Sequence, residues 1–306
     1  MAGAAAWAAI ALLARVGAAR IGVIELMFLF GPLVIVPLGL ELEKSLGGSC
    51  TGVGEWLAEM AQILQPVGAV LVVIAMLLPP GQFAGVIALG WMAVCGIIAI
   101  GGLVELGWGF ADRSIRATRF AVGVGRLDLA VGGAWLVASR LGMRPMGIQE
   151  PIGLLTAVHF HFAGFATAMI ASSTLRFAES REPQRWLPWL LVLAVVLPAV
   201  VAAGFVISPV MKMIAAVVFS LSVAELAGYV WKWGGRVGSR QAMIFLRAAA
   251  ASVFVGMGLS SAYAVVDYLK SEALTIPRMA GTHGVLNAVG FCMLGLLGWL
   301  VQSREQ

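Results

Sequence analysis

Nine apolar runs, each about twenty residues or longer, restrict the fold of this sequence more than any other feature. A bilayer's hydrocarbon core is about 30 Å thick and a helix rises about 1.5 Å per residue, so about 20 apolar residues cross it. Membrane β-strands are about ten residues long and alternate in polarity, which these runs do not. The predicted spans are 21–42, 57–78, 82–106, 118–139, 152–173, 187–207, 209–230, 243–269 and 280–301.

The composition leads to the same class of protein. Of 306 residues, 61% are hydrophobic and 11% are charged, whereas soluble domains have about 45–50% and about 25%. Too few polar side chains are present to cover a soluble domain, and the apolar content is too high for a disordered chain. We therefore predict an all-α, polytopic transmembrane helix bundle of about nine spans, in the range 8–10, with no soluble domain.

Three regions are expected along the chain. Residues 1–20 form an apolar lead-in that is too short to cross a membrane and lacks the basic start of a secretory signal. We expect it to lie at the interface or to extend the first helix. Residues 21–301 would form a single transmembrane domain and 302–306 a short tail. The tightest predicted connection is at Ser208 and Pro209, where two spans would meet almost without a loop.

The distribution of basic residues predicts the orientation. Loops on one side contain 11 Lys and Arg residues, loops on the other contain 6, and three more lie within spans. Because cytoplasmic loops are enriched in Lys and Arg, we expect an outside N-terminus and a cytoplasmic C-terminus in a bacterial inner membrane. The net charge of +5 is thus attributed to loops facing the lipid bilayer, and no nucleic-acid partner is expected.

Polar residues inside the spans predict a functional site. All three histidines of the chain fall in predicted spans, and ionisable residues in a membrane usually face a partner or a cavity. Depths estimated from the helical rise bring several of them to the outer half of the membrane. The predicted site, for a small solute, a metal ion or a proton, contains Glu25, Asp128, His159, His161, Asp267, His283 and Asn287.

Helical spacing limits how these residues can meet. His283 and Asn287 are four residues apart and share a helix face. His159 and His161 are two apart, about 200° around a regular helix. Three alternatives follow: one of the two is structural, the helix is distorted near Gly164, or two separate pockets exist.

The same spacing makes Arg126 and Asp128 poor partners for each other. Asp128 lies at the centre of its span. It is interpreted either as a proton or cation site or as a partner for Arg247 or Lys212.

Metal binding is one chemistry that the histidines allow. Imidazole and carboxylate groups suit zinc, iron or copper, and imidazole also relays protons near neutral pH. The candidate ligands are His159, His161 and His283. Cys50 is predicted in a loop, and no CxxC pair occurs, so neither a disulfide framework nor a thiolate zinc site is expected.

Three segments carry a resemblance to a known family. They are 31–39 (GPLVIVPLG), where two prolines predict a kinked or broken helix, 159–165 (HFHFAGF) and 283–291 (HGVLNAVGF). Together they resemble the YndJ-like family of bacterial integral membrane proteins. The resemblance implies a multi-spanning membrane protein of a family sometimes labelled as transporters, and it carries no mechanism onto individual residues.

A transporter or permease is the leading functional hypothesis. No GxxxxGK[ST] motif for ATP occurs in the sequence, so transport would be secondary or passive. One alternative is a membrane enzyme acting on a lipid, quinone or terpenoid, using a metal, haem or acid–base histidine site. Another is a non-catalytic membrane partner subunit. Taken together, the sequence features favour a protein that is not an enzyme.

Overall fold

A computed structural model describes residues 2–45, 52–111 and 116–305, which form ten long helices and no strand. Nine of these helices are long and apolar enough to cross a membrane, which confirms the predicted all-α bundle. Cys50, and Arg113 from the charge count, lie outside the described residues. The helices are α1 (Ala2–Arg15), α2 (Val23–Ser45), α3 (Gly52–Leu77), α4 (Gln82–Ala111), α5 (Ala117–Leu141), α6 (Ile152–Glu179), α7 (Leu187–Ile207), α8 (Pro209–Gly234), α9 (Arg240–Tyr268) and α10 (Ile276–Ser303).

The tight connection at Ser208 separates α7 from α8. Ser208 is extended, with φ −164° and ψ 131°, and Pro209, which has no N–H to donate, opens α8. The two helices then pack closely, because a Cβ on Gly204 would lie 2.6 Å from the Cα of Lys212. The absent side chain of Gly204 therefore allows a hairpin with a one-residue connection.

The lead-in forms a separate helix that folds back along α2. Gly17, with φ +76°, lies in the turn after α1. The Trp7 indole N–H donates to the Leu26 carbonyl at 2.8 Å, and its ring packs edge-on against Phe30 at 4.9 Å. The chain between α1 and α2 is non-helical, so α1 does not continue the first span.

Helix α6 is the centre of the bundle. Every residue from 164 to 175 is buried, more than three turns without an exposed side. It contacts α2, α5, α7, α8 and α10. By contrast, α3 and α4 expose apolar side chains such as Val67, Ile74 and Phe83, as lipid-facing helices do. The most protected environment therefore belongs to the helix that carries two of the three histidines.

The order of helix contacts repeats after four spans. Contacts of α2 with α6, α3 with α4 and α4 with α5 are matched by α6 with α10, α7 with α8 and α8 with α9. His159 and His283 are each the eighth residue of a 28-residue helix. Both helices enter from the face where α2 begins, so the two histidines lie at the same depth, about 10 Å.

Candidate functional site

Widened turns of three helices meet in the centre of the bundle. Helix α2 is π-helical over Gly31–Ile35, α6 over Phe160–Ala166, and α10 over Ala280–Gly284 and Leu286–Met293. The π segments of α2 and α6 contact each other and the second π segment of α10, Leu286–Met293. These are also the three helices with the family-like sequence segments. Single π turns inside helices occur often at functional sites, so this junction is where we place the candidate site.

Side-chain donors form hydrogen bonds to backbone carbonyl groups in these widened turns. The buried Gln65 amide of α3 donates to the Pro32 carbonyl of α2 at 2.6 Å. In α6, the Thr167 hydroxyl donates to the Phe162 carbonyl at 3.1 Å. A polar backbone group without a partner is costly in lipid. These bonds therefore help α2 and α6 to keep their widened turns.

His161 is a closed, structural histidine. It is 0% exposed. Its Nδ1–H donates to the Ala157 carbonyl at 2.8 Å, and its Nε2 accepts the indole N–H of Trp91 at 3.0 Å. Phe28 packs edge-on against the ring at 5.0 Å, and a Cβ on Gly132 would lie 2.6 Å from Nδ1. Neither nitrogen is left for a solute or a metal ion.

His283 is half-buried and keeps one nitrogen open. Its Nδ1–H donates to the Gly256 carbonyl of α9 at 2.9 Å. The Asn287 amide lies 3.1 Å from the same nitrogen and donates to the His283 carbonyl at 2.6 Å. Nε2 then carries a lone pair that has no partner among the described residues. Helix α10 begins at Ile276, before the predicted span start at 280. His283 therefore lies deeper in the membrane than the predicted span implied.

His159 is open in the same way. Its Nδ1–H donates to the Leu155 carbonyl at 2.6 Å, and the side chain is exposed. It occupies the same position in α6 as His283 does in α10, because each is the eighth residue of its helix. Two of the three sequence alternatives are therefore realised together: α6 is distorted next to Gly164, and one histidine of the pair, His161, is structural.

Asp128 lies at mid-membrane and has no polar partner among the described residues. It is residue twelve of the 25 in α5 and is 5% exposed. Its Oδ2 is buried and makes no hydrogen bond. The carboxylate packs on the π turn of α6, where a Cβ on Gly164 would lie 2.5 Å from Oδ2. On either side of Asp128, Gly125 and Gly132 also pack on α6. Apart from Asp128, this face of α5 therefore has small, apolar residues.

The predicted partners of Asp128, Lys212 and Arg247, bind elsewhere, and so does Arg126, which the spacing made a poor partner. Arg126, buried like Asp128, makes a bidentate ion pair with Glu43 of α2, and its Nε lies 3.2 Å from Oε2. The Lys212 ammonium binds Asp267 at 2.7 Å. Arg247 packs over the Trp231 ring. None of these cations reaches the carboxylate of Asp128.

Asp267 and Glu25, both predicted site residues, lie at helix ends. Asp267 is the penultimate residue of α9, paired with Lys212. Glu25 is the third residue of α2, and its carboxylate lies over Gly22 and within electrostatic range of Arg140. The structure therefore joins Asn287 to His283, packs Asp128 on the π turn of α6, and places Glu25 and Asp267 at helix ends.

The histidines do not form a common metal centre. Over residues 2–45, 52–111 and 116–305, no group of three His, Cys, Asp or Glu side chains is placed to hold a metal ion. The reason is geometric, because both nitrogens of His161 are already bonded to Ala157 and Trp91.

Sequence reasoning missed the neutral groups that define these environments. The Gly256 carbonyl fixes His283, and the Trp91 indole closes His161. Neither carries a charge or lies near its histidine in sequence. The pair Gly256 and Gly258 was the available signal, since small residues allow close helix approach, and Gly256 does lie against Asn287.

Nine apolar helices in the described part of the chain, around a polar junction, define it as a multi-pass membrane protein in a lipid bilayer. The sequence profile of the family described as YndJ-like protein matches residues 26–291. The chain belongs to that family, which confirms the resemblance of its three segments.

One relative is the "Uncharacterized membrane protein YndJ" of Bacillus subtilis (strain 168). The two are 27% identical over 243 residues, which cover 78% of this chain and 42% of the relative. The chain therefore spans less than half the length of that protein. No solved structure matches the chain.

Proposed function

We propose that the protein is a proton-coupled secondary transporter for a small polar solute or ion. In this proposal, His159, His283 and Asn287 bind the solute or a proton in the outer half of the membrane. Asp128 carries the coupled proton at mid-membrane. His161, Glu25 and Asp267 are outside the binding set, because their polar atoms are bonded elsewhere or lie at helix ends.

The unpartnered carboxylate of Asp128 is the observation that carries the proposal. A charged carboxylate buried without a counter-ion costs several kcal/mol or more, so such groups are neutralised by a proton or a cation. Asp128 lies at the depth where transporters hold their coupling ions. A conformation that admits water to α5 and α6 would let this proton leave, which is the step that coupling requires.

The helices around Asp128 are suited to such a change. Glycines 125, 132 and 164 bring α5 and α6 into close contact without long interlocking side chains. The π turn of α6 lies in this contact. Wide turns exchange with regular ones by shifting one hydrogen bond, so α6 is the element that we expect to move against α5.

The open imidazoles give the site its chemistry. The Nε2 atoms of His159 and His283 accept a hydrogen bond from a solute, or bind a proton. The Asn287 amide donates to the backbone carbonyl of His283 and so helps to hold the ring of His283 in place. The solute class expected is therefore one with a hydrogen-bond donor, or the proton itself.

Proteoliposomes that contain a pH-sensitive dye test the transport proposal. Amino acids, sugars, carboxylic acids, polyamines and monovalent cations would be added in turn to purified protein. We expect at least one class to change the internal pH, and Asp128→Asn to slow that change by at least about tenfold. Asp267→Asn, which neutralises a paired acid near the membrane surface, is the matched control and should keep most of the flux. A wild-type protein inert to every class would refute the proposal.

One observation favours the membrane-enzyme alternative. His159 is exposed within a membrane span, so a lipid-soluble substrate could reach its imidazole for acid–base chemistry. The lipid and quinone profile of cells lacking the gene tests this function. An unchanged profile would remove it.

The orientation remains part of the proposal. Nine spans are present in the described residues, so the two ends of the bundle lie on opposite faces. The excess of Lys and Arg on the face where α10 ends favours a cytoplasmic C-terminus in a bacterial inner membrane. Reporter fusions after Ser303 would test the prediction, and activity of an externally active reporter such as alkaline phosphatase would reverse it.

A further inference from the structure

One acid lies on the lipid-facing surface of α8, well inside the span. Glu225 is exposed and lies about 5 Å along the axis from the centre of Pro209–Gly234. It makes no hydrogen bond or ion pair with any described residue. Ionisable side chains inside a membrane nearly always face the bundle interior, a water-filled cavity or a partner. An unpartnered acid on the outside of the bundle therefore indicates a contact that a single chain does not supply.

A base lies at a similar level on the neighbouring helix. Arg247 is half-buried in α9, about 10 Å from the centre of Arg240–Tyr268 and toward the end where α8 and α9 are joined. Its guanidinium lies over the Trp231 ring, 5.2 Å from the centroid, and its Nε has no hydrogen-bond partner. No described acid makes an ion pair with it. Because Trp231 is 49% exposed, Arg247 lies on the lipid-facing side of the α8–α9 pair.

The same two helices do pair opposite charges at their other end. There Lys212 of α8 binds Asp267 of α9 at 2.7 Å. Glu225 and Arg247 remain unpaired within the chain, although α8 and α9 pack closely. Two opposite charges on one surface are complementary to a second copy of that surface. Across a two-fold axis, the acid of each copy meets the base of the other.

The surface around the two charges allows a second helix to approach closely. Its exposed positions on α8 recur every three or four residues, which places them on one helix face. They are Ile214, Val218, Leu221, Glu225 and Gly228. A Cβ built on Gly228, or on Gly258 of α9, would meet no neighbouring atom within 4 Å. Small residues at exposed positions are typical of the contacts between membrane helices.

We propose that this α8–α9 surface binds a second copy of the chain, with Glu225 of each copy paired with Arg247 of the other. Pairing removes both ions from lipid, and the two-fold axis makes two such pairs in one dimer. The contact is independent of the proposed transport function, because none of the candidate site residues takes part in it.

Energy transfer between fluorescently labelled chains in liposomes tests this contact. Donor-labelled and acceptor-labelled protein would be reconstituted over a range of protein-to-lipid ratios. We expect the wild type to associate. Glu225→Leu and Arg247→Leu should each weaken association about tenfold or more, since each removes both ion pairs. The matched control is Asp267→Asn, which removes an acid that is paired within the chain and should associate like the wild type.

A mixture of the two leucine variants separates a contact between chains from an effect within one chain. A dimer of one Glu225→Leu chain and one Arg247→Leu chain keeps one ion pair, whereas either variant alone keeps none. We therefore expect the mixture to associate about threefold or more tightly than either variant alone. Should Arg247→Leu fail to fold, Arg247→Gln takes its place in the mixture.

Each contrary outcome overturns the contact. A wild type that stays monomeric at every ratio would exclude a second copy as the occupant, and so would a monomer that is recovered from membranes only with a different protein. Variants that associate like the wild type would place the dimer contact on another surface. A mixture that associates no more tightly than its components would show that the two charges do not pair between chains.

Discussion

His161 and His283 lie in widened turns of α6 and α10, yet they are in opposite situations. His161 has both nitrogens bonded and no exposed surface, whereas His283 has one nitrogen bonded and is half-buried. The difference comes from the neighbouring side chains. The Trp91 indole N–H donates to the second nitrogen of His161, whereas no described residue bonds to the second nitrogen of His283. Whether an intramembrane histidine is structural or open to a ligand therefore depends on whether its second ring nitrogen has a hydrogen-bond partner.

The largest effect is expected from His161→Ala. It would leave a cavity in the packed centre and an unpaired indole N–H on Trp91, so the free energy of unfolding should fall by about 3 kcal/mol. Unfolding of purified protein by heat and by SDS would measure it. His159→Ala, two residues earlier but exposed, is the matched control and should cost less than about 1 kcal/mol. Equal losses would remove the distinction between the two positions.

Trp91→Phe isolates one bond of the closed histidine. The ring is kept, but Nε2 of His161 loses its donor, so stability should fall by about 1–2 kcal/mol. Trp299→Phe is the control, because the Trp299 indole is equally buried and has no hydrogen-bond partner. The same unfolding assay compares them, and a Trp299 variant that is as unstable as the Trp91 variant would refute the importance of the bond.

His283→Ala should change stability little and activity much. Only its bond to the Gly256 carbonyl is lost, which costs about 0.6 kcal/mol on average in a membrane protein. The solute-driven pH change in proteoliposomes should fall about tenfold or more, because the open Nε2 is gone. Retained flux with a collapsed unfolding temperature would reverse the roles assigned to His161 and His283.

The smallest effect is expected outside the membrane, at Glu182. The Lys232 ammonium donates to it at 2.8 Å, and this bond holds the pKa of the exposed carboxylate below its ordinary value. Because the folded-state pKa is lowered, the pair contributes above the ordinary Glu pKa, and its contribution is lost as the pH falls through the folded value. Glu182→Gln should therefore lower the unfolding temperature slightly at pH 7 and not at pH 3. A larger loss at pH 3 would contradict this sign.

The fold was largely predictable from the sequence. Each span needs about twenty apolar residues whatever its neighbours are, so hydropathy alone located all nine. Pro209 and the positive-φ residue Gly142 mark breaks through their own backbone preferences. The fold-back of α1 was not predictable, since it depends on Trp7 meeting a carbonyl of α2.

The candidate site was predictable only in part. Depth follows from position in a helix, and His159 and His283 are each the eighth residue of their helices. That they share one site with Asn287 stays a prediction. The face of a helix depends on its turns, and a π turn alters the angle between His159 and His161 without a charge or a spacing to signal it. The pairing of Arg126 with Glu43 and of Lys212 with Asp267 depends on helix neighbours, which one sequence does not contain.

Hydrogen exchange of the imidazole N–H groups, followed by nitrogen-15 NMR in lipid bilayers, tests the central distinction most directly. It reports each histidine separately and requires no knowledge of the solute. The account predicts fast exchange with D₂O for His283 and His159 and protection for His161, whose N–H lies in the closed centre. Fast exchange at His161, or protection of all three, would contradict the assignment of an open site beside a structural histidine.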